Sequence, residues 1–254
     1  LEFRRVLFRS RAVVLACGGF QANTEWRTRY LGFGWDLAKV RGTRYNTGDG
    51  LRMALDIGAM PFGSWTTCHA SPQDINMAPY TIPAGYNDSG TTSRYMYPYS
   101  IMVNMHGERF MDEGADTRGR TYAKTGRAVL AQPGGVAFQI LDAKIRRVNL
   151  YPANYRNATT VKADTLERIA QELQINAANL DRTVREFNAA VQPGRFSTDR
   201  LHLDGKCTRG ITPPKSNYAL TIDEPPFEAF PVRCGITFTY GGLRIEAKTA
   251  QVQH

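Results

Sequence analysis

Cysteine is scarce in this chain: four residues in 254, at Cys17, Cys68, Cys207 and Cys234, with no C-x-x-C spacing. That scarcity excludes a disulfide scaffold and a cysteine-built zinc site, and no metal is expected. No apolar run approaches the ~20 residues that a membrane-spanning helix needs, so direct membrane insertion is not expected. No Lys/Arg run is longer than two, although 32 basic residues face 23 acidic ones and the net charge is +9. Scattered charge of this kind supplies no contiguous basic face, and no nucleic-acid partner is expected. It suits a small anion, carboxylates first among them. There is no internal repeat, no low-complexity tract and no visible signal peptide. The cytoplasm is the default location, with the periplasm left open.

What is present begins oddly. LEFRRVLFRS holds three Arg and one Glu and runs straight into an apolar stretch without a turn or cap. It has the look of a translated sequencing adapter, so residues 1–10 are read as a non-native leader. Ala12 to Ala16 is a short continuous apolar run, the pattern of a fully buried parallel strand, and it ends at Gly18-Gly19. Asn23 to Leu31 reads as a helix with Asn23 or Thr24 as its cap. A helix beginning at Asp49 places Leu51, Ala54, Leu55 and Gly58 on one face, with Gly58 as its stop. Met60 to Tyr99 is rich in Pro, Tyr, Ser and Thr and shows little periodicity, which reads as a long functional loop. Ile101 to Asn104 and Val136 to Leu141 read as strands. Asp164 to Leu173 and Leu180 to Val191 read as amphipathic helices. Gln192 to Pro214 reads as loop, and Phe230 to Val252 as short strands around Gly241-Gly242.

Three glycine-marked segments carry the chemistry: RAVVLACGGF at 11–20, TGDGLRMALDIGA at 47–59 and GERFMDEGADTR at 107–118. In this order they resemble the FAD-dependent fumarate reductase and succinate dehydrogenase flavoprotein family (FAD-binding domain 2), most closely its tricarballylate dehydrogenase branch. The resemblance runs from about Arg11 to the end of the chain. It implies a fragment, because the G-x-G-x-x-G fingerprint and the C-terminal GE…GG segment of such proteins are absent. A chain without that phosphate-binding turn is expected to hold FAD poorly. The implied fold is an α/β flavoprotein fragment: a partial Rossmann-like FAD-binding domain with an inserted α+β capping domain. The division is 11–59 for the first part of the FAD-binding domain, 60–230 for the cap, and 231–254 for the return.

The resemblance also assigns roles. Ala16, Gly18, Gly19 and Asp49 match residues lying at the FAD, with Cys17 where Thr is usual. Asp49 equally fits plain capping of a helix start. His69 matches a substrate-binding histidine, and Thr117 joins it as a substrate contact. Arg118 matches the arginine that delivers a proton to the substrate carbon. On charge pattern alone, Arg118 would instead pair with Asp112, Glu113 or Asp116. A guanidinium has a pKa above ~12, so a proton relay must reload it. Fumarate reductases use an upstream Glu and Arg for this, whereas 91–97 here offers Arg94 and tyrosines but no carboxylate. The family's H-T-x-G-G reads Phe238-Thr239-Tyr240-Gly241-Gly242, so a substrate histidine has become Phe238. The expected enzyme is an FAD-dependent oxidoreductase acting on a CH–CH bond next to a carboxylate, most like a tricarballylate dehydrogenase. It would use a separate electron-transfer partner. A fumarate- or urocanate-type reductase is the alternative, and a non-catalytic basic binding module is the reading from a different class.

Overall fold

Among the described residues six strands form one sheet: β1 (Lys39–Val40), β2 (Pro61–Asp74), β3 (Ile101–Val103), β4 (Val136–Leu141), β5 (Val161–Ala163) and β6 (Phe227–Leu243). This is a computed structural model describing residues 11–81, 92–147, 152–199 and 202–254. The expected leader at 1–10 and residue Thr91 lie outside the described residues. β6 is the spine of the sheet. β2 pairs with it antiparallel from Pro61–Leu243 to Asp74–Val232, β4 from Val136–Arg233 to Leu141–Glu228, and β5 with its first residues. β1 adds a short parallel pairing at Gly235 and Ile236.

The helices follow their local signals. Asn23 caps α1 (Thr24–Trp26) by accepting the Trp26 N–H, and a wider π-type turn, Arg27–Leu31, continues it. Gly48, at φ +83°, turns the chain into α2 (Asp49–Asp56), and the Gly58 N–H bonds the Leu55 carbonyl at 3.0 Å to end it. The remaining helices are α3 (Arg118–Leu130), α4 (Ala143–Arg147), α5 (Leu166–Leu173) and α6 (Ala177–Ala190). Thr165 and Asn176 cap α5 and α6. These two helices bury Ile169, Ala170, Leu180, Val184 and Phe187 against Ile101, Val103, Phe138, Ile140 and Ala229 of the sheet.

Two expectations are corrected. The apolar run at 12–16 forms no strand: Val13 and Val14 are 78% and 89% exposed, and no described strand pairs with it. Hydrophobic composition gives a strand only where a neighbour accepts its ladder. The stretch from Met60 to Tyr99 is not one long loop, because Pro61–Asp74 is strand β2. Register shifts at Ser64/Cys68 and His69/Ala70 break its alternation, which hid it from a period-two reading. Its buried end is covered by α3, and the approach is close. A Cβ on Gly126 would lie 2.5 Å from the Ala70 carbonyl carbon and the Ser71 nitrogen.

Candidate active site

Two glycine turns meet on the first face of interest. The Ala22 N–H bonds the Asn46 carbonyl at 2.9 Å, and the Asn23 amide bonds the Thr47 carbonyl at 3.0 Å. A Cβ on Gly50 would fall 2.7 Å from the Cys17 sulfur, and one on Gly18 would fall 3.2 Å from the Asn46 side chain. The CGGF and TGDG turns therefore lie directly against each other, although about thirty residues separate them. Ala16, Gly18 and Asp49 are all exposed at this junction, and Gly19 is half-buried. Thr239 of β6 closes it from behind, its hydroxyl accepting the Phe20 N–H at 3.3 Å. Asp49 accepts the Thr47 hydroxyl at 2.7 Å and faces Arg52 at 3.6 Å, as a residue of the first helical turn does.

His69 stands on β2 and is 5% exposed. Its ring lies 4.9 Å from Tyr122 of α3 and 4.9 Å from Phe238 of β6. Its Nδ1 is buried without a hydrogen-bond partner. Burial, reinforced by the positive charge of Arg41, lowers the imidazole pKa. The ring is therefore neutral near pH 7, with one donor and one acceptor nitrogen.

Arg118 opens α3, and Thr117 precedes it as the N-cap without using its hydroxyl to cap. The guanidinium lies over the Tyr95 ring at 5.3 Å. The three acids that could have claimed it are engaged elsewhere. Glu113 holds Arg109 at 2.5 Å, Asp116 faces Arg120 at 3.5 Å, and Asp112 holds Ser216. Among the described residues no ion pair includes Arg118, so the surface-pair reading is set aside.

Tyr95 connects the two. Its ring meets Tyr122 at 5.5 Å, and Tyr122 in turn meets His69. Its hydroxyl accepts from Arg41 at 2.9 Å and reaches Ser71 at 3.4 Å. Arg118 and Thr117 also line a 380 Å³ cavity with Tyr95, Met96, Tyr99 and Tyr155. His69 is not among its lining residues, so the two predicted residues are joined through the tyrosine pair rather than by one shared cavity. Arg94 does have a carboxylate, supplied by Asp74 from β2 at 2.7 Å, both buried. Sequence reading missed Tyr122, Arg41 and Asp74 because each comes from a different element. The tyrosine-rich stretch around Tyr95 was the one available signal.

A family model described as an FAD binding domain matches residues 2–253. The chain belongs to the FAD binding domain family. Within the family it is 26% identical to an NADH:acrylate oxidoreductase of Vibrio harveyi, covering 96% of this chain and 22% of that protein. It is 28% identical to a probable fumarate reductase of Shewanella frigidimarina, covering 96% and 36%. A 3-oxosteroid 1-dehydrogenase of Mycobacterium tuberculosis is 27% identical over 93% of this chain and 43% of its own. Among solved structures, an open flavocytochrome c3 fumarate reductase superposes with a TM-score of 0.59 at 26% identity, covering 93% of this chain and 37% of that one. The chain thus spans less than half the length of these family members. The fold is mixed α/β, as expected, and the cofactor of the family is FAD. The residues present fit that group: the two turns abut at the uncapped start of α2 with Gly18 and Asp49 exposed, and a helix start of this kind favours an anion. Beside them, Gln21 and Trp65 each bury a polar atom without a partner. No helix among the described residues is long and apolar enough to cross a membrane.

Proposed function

We propose that this chain belongs to an FAD-dependent oxidoreductase that oxidises or reduces a carbon–carbon bond next to a carboxylate. One observation carries the reading: a buried His69 whose Nδ1 has no hydrogen-bond partner and an Arg118 that, among the described residues, joins no ion pair meet the same Tyr95–Tyr122 pair. Ala16, Gly18, Gly19 and Asp49 would hold FAD, which when bound supplies the two-electron redox chemistry. His69 holds a substrate carboxylate through its N–H. Thr117 adds a hydroxyl donor. Arg118 moves the proton at the adjacent substrate carbon, with the Tyr95 ring fixing the guanidinium plane. The stretch 11–59 and the return at 231–254 belong to the flavin side, and 60–230 to the cap.

The finer reading is dehydrogenation of a tricarballylate-like polycarboxylate, with electrons passed to a separate partner. The EGADTR spacing and Phe238 in place of histidine support it. A reductase of the fumarate type is the second reading, favoured by the names of the relatives. Arg118→Lys in the flavin-loaded full-length protein tests the shared core of both. General acid–base assistance is worth ~10²–10⁴-fold, so kcat and kcat/KM should fall together by that factor. Lys keeps the charge but loses the planar fork of donors. Unchanged turnover in that variant would remove Arg118 from the chemistry. Dye-linked assays with tricarballylate and with fumarate then separate oxidation from reduction.

A further inference from the structure

No sequence motif marks Arg41, and its place follows from the sheet. Ile236 of β6 pairs with Val40 on one side and Ala70 on the other, and all three side chains are buried in one core cluster. Strand side chains alternate, so the next residue along each flanking strand, Arg41 and Ser71, emerges on the opposite face. The Arg41 N–H still extends the ladder, bonding the Ile236 carbonyl at 2.8 Å. The two side chains converge on one atom. Arg41 donates to the Tyr95 hydroxyl oxygen at 2.9 Å, and that hydroxyl donates to Ser71 Oγ at 3.4 Å. Ser71 is held in turn by the Gln73 side-chain amide at 2.8 Å, and both residues are fully buried. The bond from Arg41 has a charged donor, which makes it roughly twice as strong as a neutral one.

The ring attached to that hydroxyl carries Arg118. The guanidinium lies 5.3 Å from the Tyr95 centroid, and Tyr122 meets the same ring edge-on at 5.5 Å. A phenol pinned at its oxygen and braced at its edge resists tilting, so it offers the guanidinium one plane. The charge of Arg41 also reaches His69, where it adds to burial in keeping the imidazole neutral. We infer that Arg41 is a positioning residue of the active site: through the Tyr95 hydroxyl it fixes the ring on which Arg118 lies, and so sets where Arg118 presents its proton. The inference rests on the proposed chemistry of Arg118 and goes beyond it, because it names the group that holds the arginine's support in place.

Two measurements test it, one of them without turnover. In NMR spectra of the chain with isotope-labelled arginine, the Tyr95 ring current should move the Arg118 side-chain protons upfield, with Arg118→Lys assigning the signal. Arg41→Met and Tyr95→Phe should each move that signal back, and Arg41→Lys, which keeps a donor for the phenol oxygen, should not. An Arg118 signal that is unshifted in the native chain, or that Arg41→Met leaves in place, would overturn the inference whatever the activity. The second measurement is kinetic, on the flavin-loaded full-length protein with tricarballylate and with fumarate. A misplacement of ~1 Å can cost about 10²-fold, so Arg41→Met should lower kcat by ~10–100-fold with KM nearly unchanged. Tyr95→Phe should lose a similar factor, and the double variant no more than the worse single one, because both act through one bond. Arg41→Lys should recover most of the loss. Additive losses would show that Arg41 does not act through Tyr95, and a raised KM with kcat intact would make it a substrate-binding cation; either result refutes the positioning role. Absence of turnover with both probes in the native protein would count against the proposed function, while the NMR comparison still decides the place of Arg41.

Discussion

Gly126→Ala sets two effects of known size against each other. Gly126 lies in the interior of α3, where replacing glycine by alanine gains ~1 kcal/mol of helix propensity. Its new methyl, however, would meet backbone atoms of Ala70 and Ser71 at 2.5 Å, and backbone cannot swing aside as a side chain would. Overpacking of this kind costs ~1–3 kcal/mol. The sum is a net loss of up to about 2 kcal/mol, and at ~2–4 °C per kcal/mol the melting temperature should fall by up to ~8 °C. Gly119→Ala is the matched control: it is in the same helix, and a Cβ there meets nothing within 4 Å. That variant should gain up to ~1 kcal/mol and melt no lower than the parent. Thermal melts followed by far-ultraviolet circular dichroism measure both. If Gly126→Ala melts above the parent alongside Gly119→Ala, α3 does not sit on β2 as described, and the juxtaposition of Arg118 with His69 falls with it.

Three further expectations follow from buried groups. Arg94→Met breaks a buried pair with Asp74, and ~3–5 kcal/mol should be lost in urea melts; a loss below about 1 kcal/mol would mean that the pair is solvated. Burial pushes the Asp74 carboxyl up, but hydrogen bonds from Thr159, Asn76 and Arg94 outweigh it and hold the pKa low. Its contribution is therefore complete above the usual carboxylate range and fades as pH falls through the lowered value, so Asp74→Asn should flatten the acid limb of the stability curve. Burial raises Tyr97 to about 12 and raises Tyr155 as well. Their contribution is full below pH ~10 and lost as pH climbs through the raised values. In an absorbance titration both should ionise only as the near-ultraviolet dichroism collapses; all tyrosines titrating near pH 10 in a folded chain would contradict their burial.

Much of the fold was legible where periodicity was clean. Val136–Leu141 was read with its final bounds, and the faces of α5 and α6 were read correctly because their apolar residues recur at helical spacing. Strand β2 was not legible, since its bulges scramble the alternation and its polar residues are buried by partners distant in sequence. The apolar run at 12–16 misled for the opposite reason: pattern without a pairing partner. In the candidate site the motif-bearing residues could be named, but Tyr122, Arg41 and Asp74 could not. Each acquires its place only when α3, β2 and the residue that follows β1 are brought together.

The long strand β6 has a consequence for how the chain is made. Of the other five strands among the described residues, four pair with it and β3 does not. It also follows every other described strand and helix along the chain. β1 and β2 must wait for a partner some 160 to 200 residues further along. On the ribosome, helices α5 and α6 can form locally, while β2 remains an unpaired edge until residues 227–243 emerge. Contacts this distant in sequence slow folding, and open edges invite association with other nascent chains. Chaperone demand during synthesis should therefore peak before β6 clears the exit tunnel and drop once it does.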